Sequence, residues 1–97
     1  MRIGQKTHPM YKIVYTRQGL KEKRIANKAG FGEKISKLLD VLKDDSFQVY
    51  PPYEKLVGNL SGAYSRRINR QHRLVYTVYE EEKIVKVISM WTHYESI

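Results

Sequence analysis

"HRLVYTVYEEEKIVKVISMWTHYE", residues 72–95, decides the fold. Two runs rich in β-branched and aromatic residues, at about 73–79 and 83–92, flank an acidic turn, which is the pattern of a β-hairpin. A third run of the same kind lies just upstream, at about 63–69, after a proline-bearing loop, "QVYPPYEKLVGNLSG", residues 48–62. Near the other end of the chain, "YKIVYT", residues 11–16, reads as one more short strand. A sheet of this size needs a cover on one face. The segment "EKISKLLDVLKDD", residues 33–45, supplies it, because Ile35, Leu38, Leu39 and Leu42 fall at i, i+3, i+4 and i+7 and leave Lys34, Lys37 and Lys43 on the solvated side. An earlier helix, about 17–28, is poorly patterned, with Leu20 and Ile25 as its clearest apolar positions; Thr16 caps it, Gly19 weakens its first turn, and "AGFG", residues 29–32, ends it. The expected fold is α+β: two N-terminal helices packed on a mainly antiparallel twisted sheet, in the order β-α-α-β-β-β. Parity alone does not choose between Val75 and the set Leu74, Tyr76 and Val78 as the helix-facing side of the hairpin; the latter are expected there, since that leaves Arg73 and His93 facing solvent.

Ninety-seven residues form one small domain, 10–97, preceded by a polar arm, 1–9. Such a domain buries roughly 60–65% of the surface of its unfolded chain, so its site is expected at the surface. The absence of cysteine excludes disulfides, iron–sulfur clusters and thiolate zinc sites, and fits a reducing compartment. Eighteen lysines and arginines against ten acids give a formal charge of +8, which calls for an anionic partner. No run is long enough to span a bilayer and the first residues are not a secretory signal, so a cytoplasmic location is expected, without a membrane role.

Arg66, Arg67, Arg70 and Arg73 crowd into eight residues that contain no acid. They read either as a solubilising edge or as forks for phosphate, since guanidinium binds phosphate bidentately and stacks on bases. With a turn centred near Glu81, Arg73 pairs across from about Ser89 and shares the parity of His93, roughly 13 Å further along the strand. A ribonuclease without a metal needs a base for the 2'-hydroxyl, a cation for the phosphate and an acid for the leaving 5'-oxygen. Glu54, in the loop leading to the sheet, Arg73 and His93 match those needs; as bland readings, Glu54 is a loop charge and His93 a strand end. His8, His72 and His93 are scattered and the carboxylates lack ligand spacing, so no metal or other cofactor is expected.

The run "EKLVGNLSGAYSRRINRQHRLVYTV", residues 54–78, followed by His93 and Tyr94, resembles the YoeB/Txe branch of the RelE-like superfamily of bacterial toxins. It carries the family's Glu-x-Leu, Asn-Leu-Ser-Gly, Ser-Arg-Arg-Ile and His-Arg-Leu-Val-Tyr segments in order. The resemblance is strong over 54–94, fair in the second helix and faint in the first. It implies a RelE-like domain and a toxin of a type II toxin–antitoxin system, a ribosome-dependent mRNA endoribonuclease acting in the A site of the 70S ribosome and inhibited by a Phd/YefM-like antitoxin, with homodimerisation open. By resemblance, the general base falls on Glu54, the phosphate arginine on Arg73, the general acid on His93 and the terminal catalytic-site tyrosine on Tyr94. Arg66, Arg67, Arg70 and Asn59 are the RNA-binding candidates. The alternative is a non-catalytic basic RNA- or protein-binding module of the same fold. Against the family pattern, Val57 stands where a lysine is common, Trp91 and Thr92 replace an Arg-Tyr pair, and Glu95, Ser96 and Ile97 follow the tyrosine.

Overall fold

Lys12–Tyr15 form the first strand, β1, and Thr16 turns the chain directly into a helix. Its hydroxyl accepts the Gly19 N–H at 3.0 Å, the N-cap bond that satisfies one of the donors left open at a helix start, and donates to the Ile88 carbonyl at 2.9 Å. Helix α1 runs Arg17–Ala26, a wider π-type turn spans Asn27–Phe31, and helix α2 runs Gly32–Asp45. The break comes where "AGFG" places it: Gly30 has φ 94°, a left-handed conformation that glycine adopts without a Cβ penalty. Strands β2 (Tyr53–Lys55), β3 (Tyr64–Arg67), β4 (Arg73–Tyr79) and β5 (Ile84–Ser89) follow. The structure, a computed structural model, describes residues 10–45 and 52–91. The expected N-terminal arm, His93 and Tyr94 lie outside the described residues.

The five strands make one sheet in the order β1-β5-β4-β3-β2. Pairing is antiparallel throughout β2–β5, while β1 lies parallel to β5. The expected α+β arrangement is thus present, with the short β2 as an addition inside the segment read as loop. Three residues beside two prolines carry too little periodicity to show as a strand.

Ile35, Leu38, Leu39 and Leu42 pack on Leu74, Tyr76, Val85 and Val87 to form the main core, with Val78 at its margin. This is the sheet face expected to meet the helix, the one that leaves Arg73 on the other side. Val75 points the other way, into a second cluster with Leu56 and Ala63 under the β2–β3 loop.

Helix α1 corrects the sequence reading. Leu20 and Ile25 face outward, 41% and 42% exposed, and the buried positions are Gly19, Glu22 and Ala26. These also share a helical face, at i, i+3 and i+7, but two are too small and one too polar to register as hydrophobic periodicity. Smallness is the requirement here, since a Cβ on Gly19 would lie 2.6 Å from the Val87 carbonyl oxygen. Gly19→Ala is therefore expected to destabilise the protein, although alanine is favoured over glycine inside a helix by about 1 kcal/mol. Urea melts of the two proteins decide the sign, and a more stable variant would mean that α1 has room to back away from β5.

The register of β4 on β5 also differs from expectation. Val75, rather than Arg73, pairs with Ser89. The connection occupies Glu80–Lys83, with Lys83 at φ 58°, and a bulge follows between the Tyr76–Val87 and Val75–Ser89 pairs, leaving Ile88 as the extra residue. Each shift moves Arg73 toward the chain end, so that the start of β4 lies beside Trp91. The His72 and Trp91 rings are stacked there at 3.8 Å and 5°.

Candidate active site

The site is built on the face of the sheet turned away from the helices. Cross-strand pairing sets Glu54 beside Ser65 and Arg67 beside Arg73, and alternation points all four side chains to that face. A five-residue connection, Ile68–His72, holds the β3–β4 register. Asn69 Oδ1 accepts the N–H groups of Gln71 and His72 at 2.8 and 2.7 Å, and the buried Ile68 anchors the turn's base.

Arg73 is held from two strands. Its Nε donates to Ser65 Oγ at 2.8 Å, and its Nη2 lies 3.4 Å from Glu54 Oε1. The arginine side chain is only 13% exposed while the Glu54 carboxylate is 60% exposed. The guanidinium is consequently fixed by the protein and the carboxylate is open to a ligand. Lys34, Pro52, Glu54, Arg67 and Arg73 line a cleft of about 430 Å³. Three cations against one carboxylate give it a positive field at short range, and such a cleft attracts an anion.

Arg66, grouped with Arg67 by sequence, occupies the opposite side of the sheet and is fully buried. Its Nε donates to Tyr76 Oη at 3.1 Å and its guanidinium carbon lies 5.1 Å from the centre of the Tyr53 ring. Burial pushes the Tyr76 phenol above its ordinary pKa, and the Arg66 charge opposes that rise. Arg66 therefore has a place in the core and none in the cleft. Arg70 is exposed and lines a separate surface hollow with Asn69 and Gln71, and Asn59 is exposed in the short turn Gly58–Leu60. Glu54, Arg67 and Arg73 are the sequence candidates brought together; Arg66, Arg70 and Asn59 lie elsewhere.

Sequence reasoning gave no role to Ser65 or Lys34. Ser65 was visible only as part of a motif, since its bond to Arg73 depends on the β3–β4 register. Among the described residues, no group of three or more His, Asp or Glu side chains is placed to hold a metal ion. No helix among them is long and apolar enough to cross a membrane.

The family model of the YoeB-like toxin of bacterial type II toxin–antitoxin systems matches residues 15–94. This chain belongs to that family. The match takes in both helices, strands β2–β5, the last residue of β1 and every candidate site residue. The Toxin YoeB of Synechocystis is 40% identical over 63 residues, which is 65% of this chain and 71% of the relative. Among solved structures, the YoeB/ParE toxin from Agrobacterium tumefaciens superposes with a TM-score of 0.77 at 32% identity, covering 86% of this chain and 99% of that one. The YoeB of Staphylococcus aureus, 33% identical, is similar both in its YoeB–YefM complex, with a TM-score of 0.72 over 87% of this chain and 98% of that one, and as a YoeB dimer, with 0.74 over 88% and 99%. The RelE-like topology expected from sequence is the topology observed.

Proposed function

We propose that this family member is a ribosome-dependent mRNA endoribonuclease that cleaves by acid–base chemistry on the substrate's own 2'-hydroxyl. The observation that supports this is the pairing of an exposed carboxylate, Glu54, with a guanidinium, Arg73, that Ser65 holds on the adjoining strand. Glu54 takes the 2'-hydroxyl proton, the 2'-oxygen forms a bond to the adjacent phosphorus, and the bond to the 5'-oxygen breaks. Arg73 meets the charge that builds on the non-bridging oxygens, where a donor fixed in advance is most effective because it need not reorganise during the reaction. His93 gives a proton to the departing 5'-oxygen, and Tyr94 completes the terminal part of the site. Arg67 and Lys34 hold flanking phosphate, with Arg70 and Asn59 contacting RNA outside the cleft.

Incubation with programmed ribosomes and mapping of the mRNA ends tests this reading. A 2',3'-cyclic phosphate, or its hydrolysis product, is expected upstream of the cut and a 5'-hydroxyl downstream. A 5'-phosphate would leave a nuclease but overturn the 2'-hydroxyl mechanism. Intact mRNA would favour the binding-module alternative, which uses the same basic face.

The inhibitor proposed is a Phd/YefM-like antitoxin that lays an acidic segment across this face, in a cytoplasmic complex in which the toxin also forms a homodimer. A formal charge of +8 steers such a partner, so its association rate should fall more steeply with salt than its dissociation rate changes. Stopped-flow mixing at low and moderate salt measures this, and a salt-independent association rate would remove the steering.

A further inference from the structure

We propose that Glu22 is a positioning residue, which fixes the end of β5 and so the starting point of the segment that carries His93 and Tyr94. The proposal rests on the nuclease reading for its catalytic consequence, but the clamp itself stands on geometry. Glu22 is 6% exposed, on the α1 face turned to the sheet. Its Oε1 accepts from the Ser89 hydroxyl at 3.1 Å, the Met90 N–H at 2.8 Å and the Trp91 N–H at 3.1 Å, while Oε2 accepts from Gln18 Nε2 at 3.0 Å.

A carboxyl group drawn this far out of water is costly unless its oxygens find donors. An apolar side chain would fill the same space under a strand without that cost. What the carboxyl provides in exchange is a set of bonds at the point where β5 ends, at Ser89, and the ladder on β4 ceases to guide the chain. Gly19 is part of the same device. Thr16 and Gly19 let the first turn of α1 come close to the Val87 carbonyl, and a Cβ at residue 19 would force that turn outward and take Glu22 with it.

Trp91 extends the clamp to the other half of the site. Its ring stacks on His72 at 3.8 Å and packs at a tilt against Phe31, with 5.3 Å between ring centres. His72 immediately precedes Arg73, and its N–H is tied to Asn69 Oδ1 at 2.7 Å. Helix α1 therefore holds the Trp91 backbone, the helix junction and the β3–β4 turn hold its ring, and that turn leads directly into Arg73 at the start of β4. Trp91, two residues before His93 in sequence, and His72, next to Arg73, are braced against each other. In acid–base catalysis such bracing matters because a displacement of about 1 Å costs on the order of 10²-fold in rate.

The test compares Glu22→Ala, Glu22→Gln and a core variant, Leu38→Ala, in the full chain. Amide hydrogen exchange at Met90 and Trp91 reads the clamp without reference to any activity. Single-turnover cleavage at saturating programmed ribosomes, with ribosome affinity measured separately, reads its consequence. Glu22→Ala should accelerate exchange at those two amides about 10-fold or more while β3 amides keep their protection, and should lower the cleavage rate by about 10- to 100-fold at unchanged ribosome affinity. Glu22→Gln keeps an acceptor oxygen and should recover most of both. Leu38→Ala, assayed equally far below its own melting temperature, should retain the rate. Unchanged exchange at Met90 and Trp91 in Glu22→Ala overturns the clamp, and a rate loss no larger than that of Leu38→Ala overturns the positioning role. A wild-type chain that does not cleave mRNA defeats the nuclease reading instead, and the exchange result alone then decides whether Glu22 holds the end of β5.

Discussion

Arg73→Ala is expected to lower the single-turnover cleavage rate on programmed ribosomes by about two orders of magnitude or more, roughly 3 kcal/mol. The size of the effect follows from how the side chain is held. Ser65 occupies Nε and Glu54 approaches Nη2, so the guanidinium is aimed before substrate arrives. A contact of this kind strengthens as charge moves onto the phosphate oxygens, and its loss falls on the chemical step rather than on binding. Arg73→Lys should recover only part of the rate, because lysine keeps the charge but has neither an Nε for Ser65 nor a planar fork for two oxygens. Arg70→Ala is the contrasting case: its exposed site beside Asn69 and Gln71 should weaken association with little change in the chemical step. A folded Arg73→Ala protein that cleaves at the wild-type rate would sink the catalytic assignment.

His93→Ala should cost about 10²- to 10⁴-fold through loss of the leaving-group proton. Its pH profile is as informative as its size. A general acid must be protonated to act, so the wild-type rate should fall as pH rises through the pKa of His93, and that alkaline limb should be absent from the variant. Glu54→Ala should cost less where water can take the 2'-hydroxyl proton in its place. Retention of the alkaline limb in His93→Ala would assign the proton to another group.

The core was legible because Ile35, Leu38, Leu39 and Leu42 repeat at the helical period and β4 alternates, and both signals are local. Glu54, Arg67 and Arg73 were named because guanidinium and carboxylate chemistry is visible in composition, and the family segments placed them. What escaped depends on distant pairing. Ser65 meets Arg73 only through the strand register. Glu22 looks like one of many helix-surface charges until α1 is laid on the end of β5. Arg66 misled for a related reason, since adjacent residues on a strand face opposite ways and a pair of arginines cannot both point into one cleft. Of the two residues by which the β4–β5 register differs from expectation, one comes from the turn at Glu80–Lys83 and one from the bulge, and Ile88 has nothing in its side chain to announce it.

The parallel pairing of β1 with β5 has a consequence for synthesis. Among the described residues, the strand made last, β5, lies inside the sheet, between β1 and β4. A nascent chain lacking Ile84–Ser89 has β1 as a lone strand, nothing to join it to the β4-β3-β2 ladder, and a main core without Val85 and Val87. Folding therefore waits on long-range contacts between the two ends of the molecule, which form slowly because the intervening loop must first close. The fold closes only once β5 is available to pair with both β1 and β4.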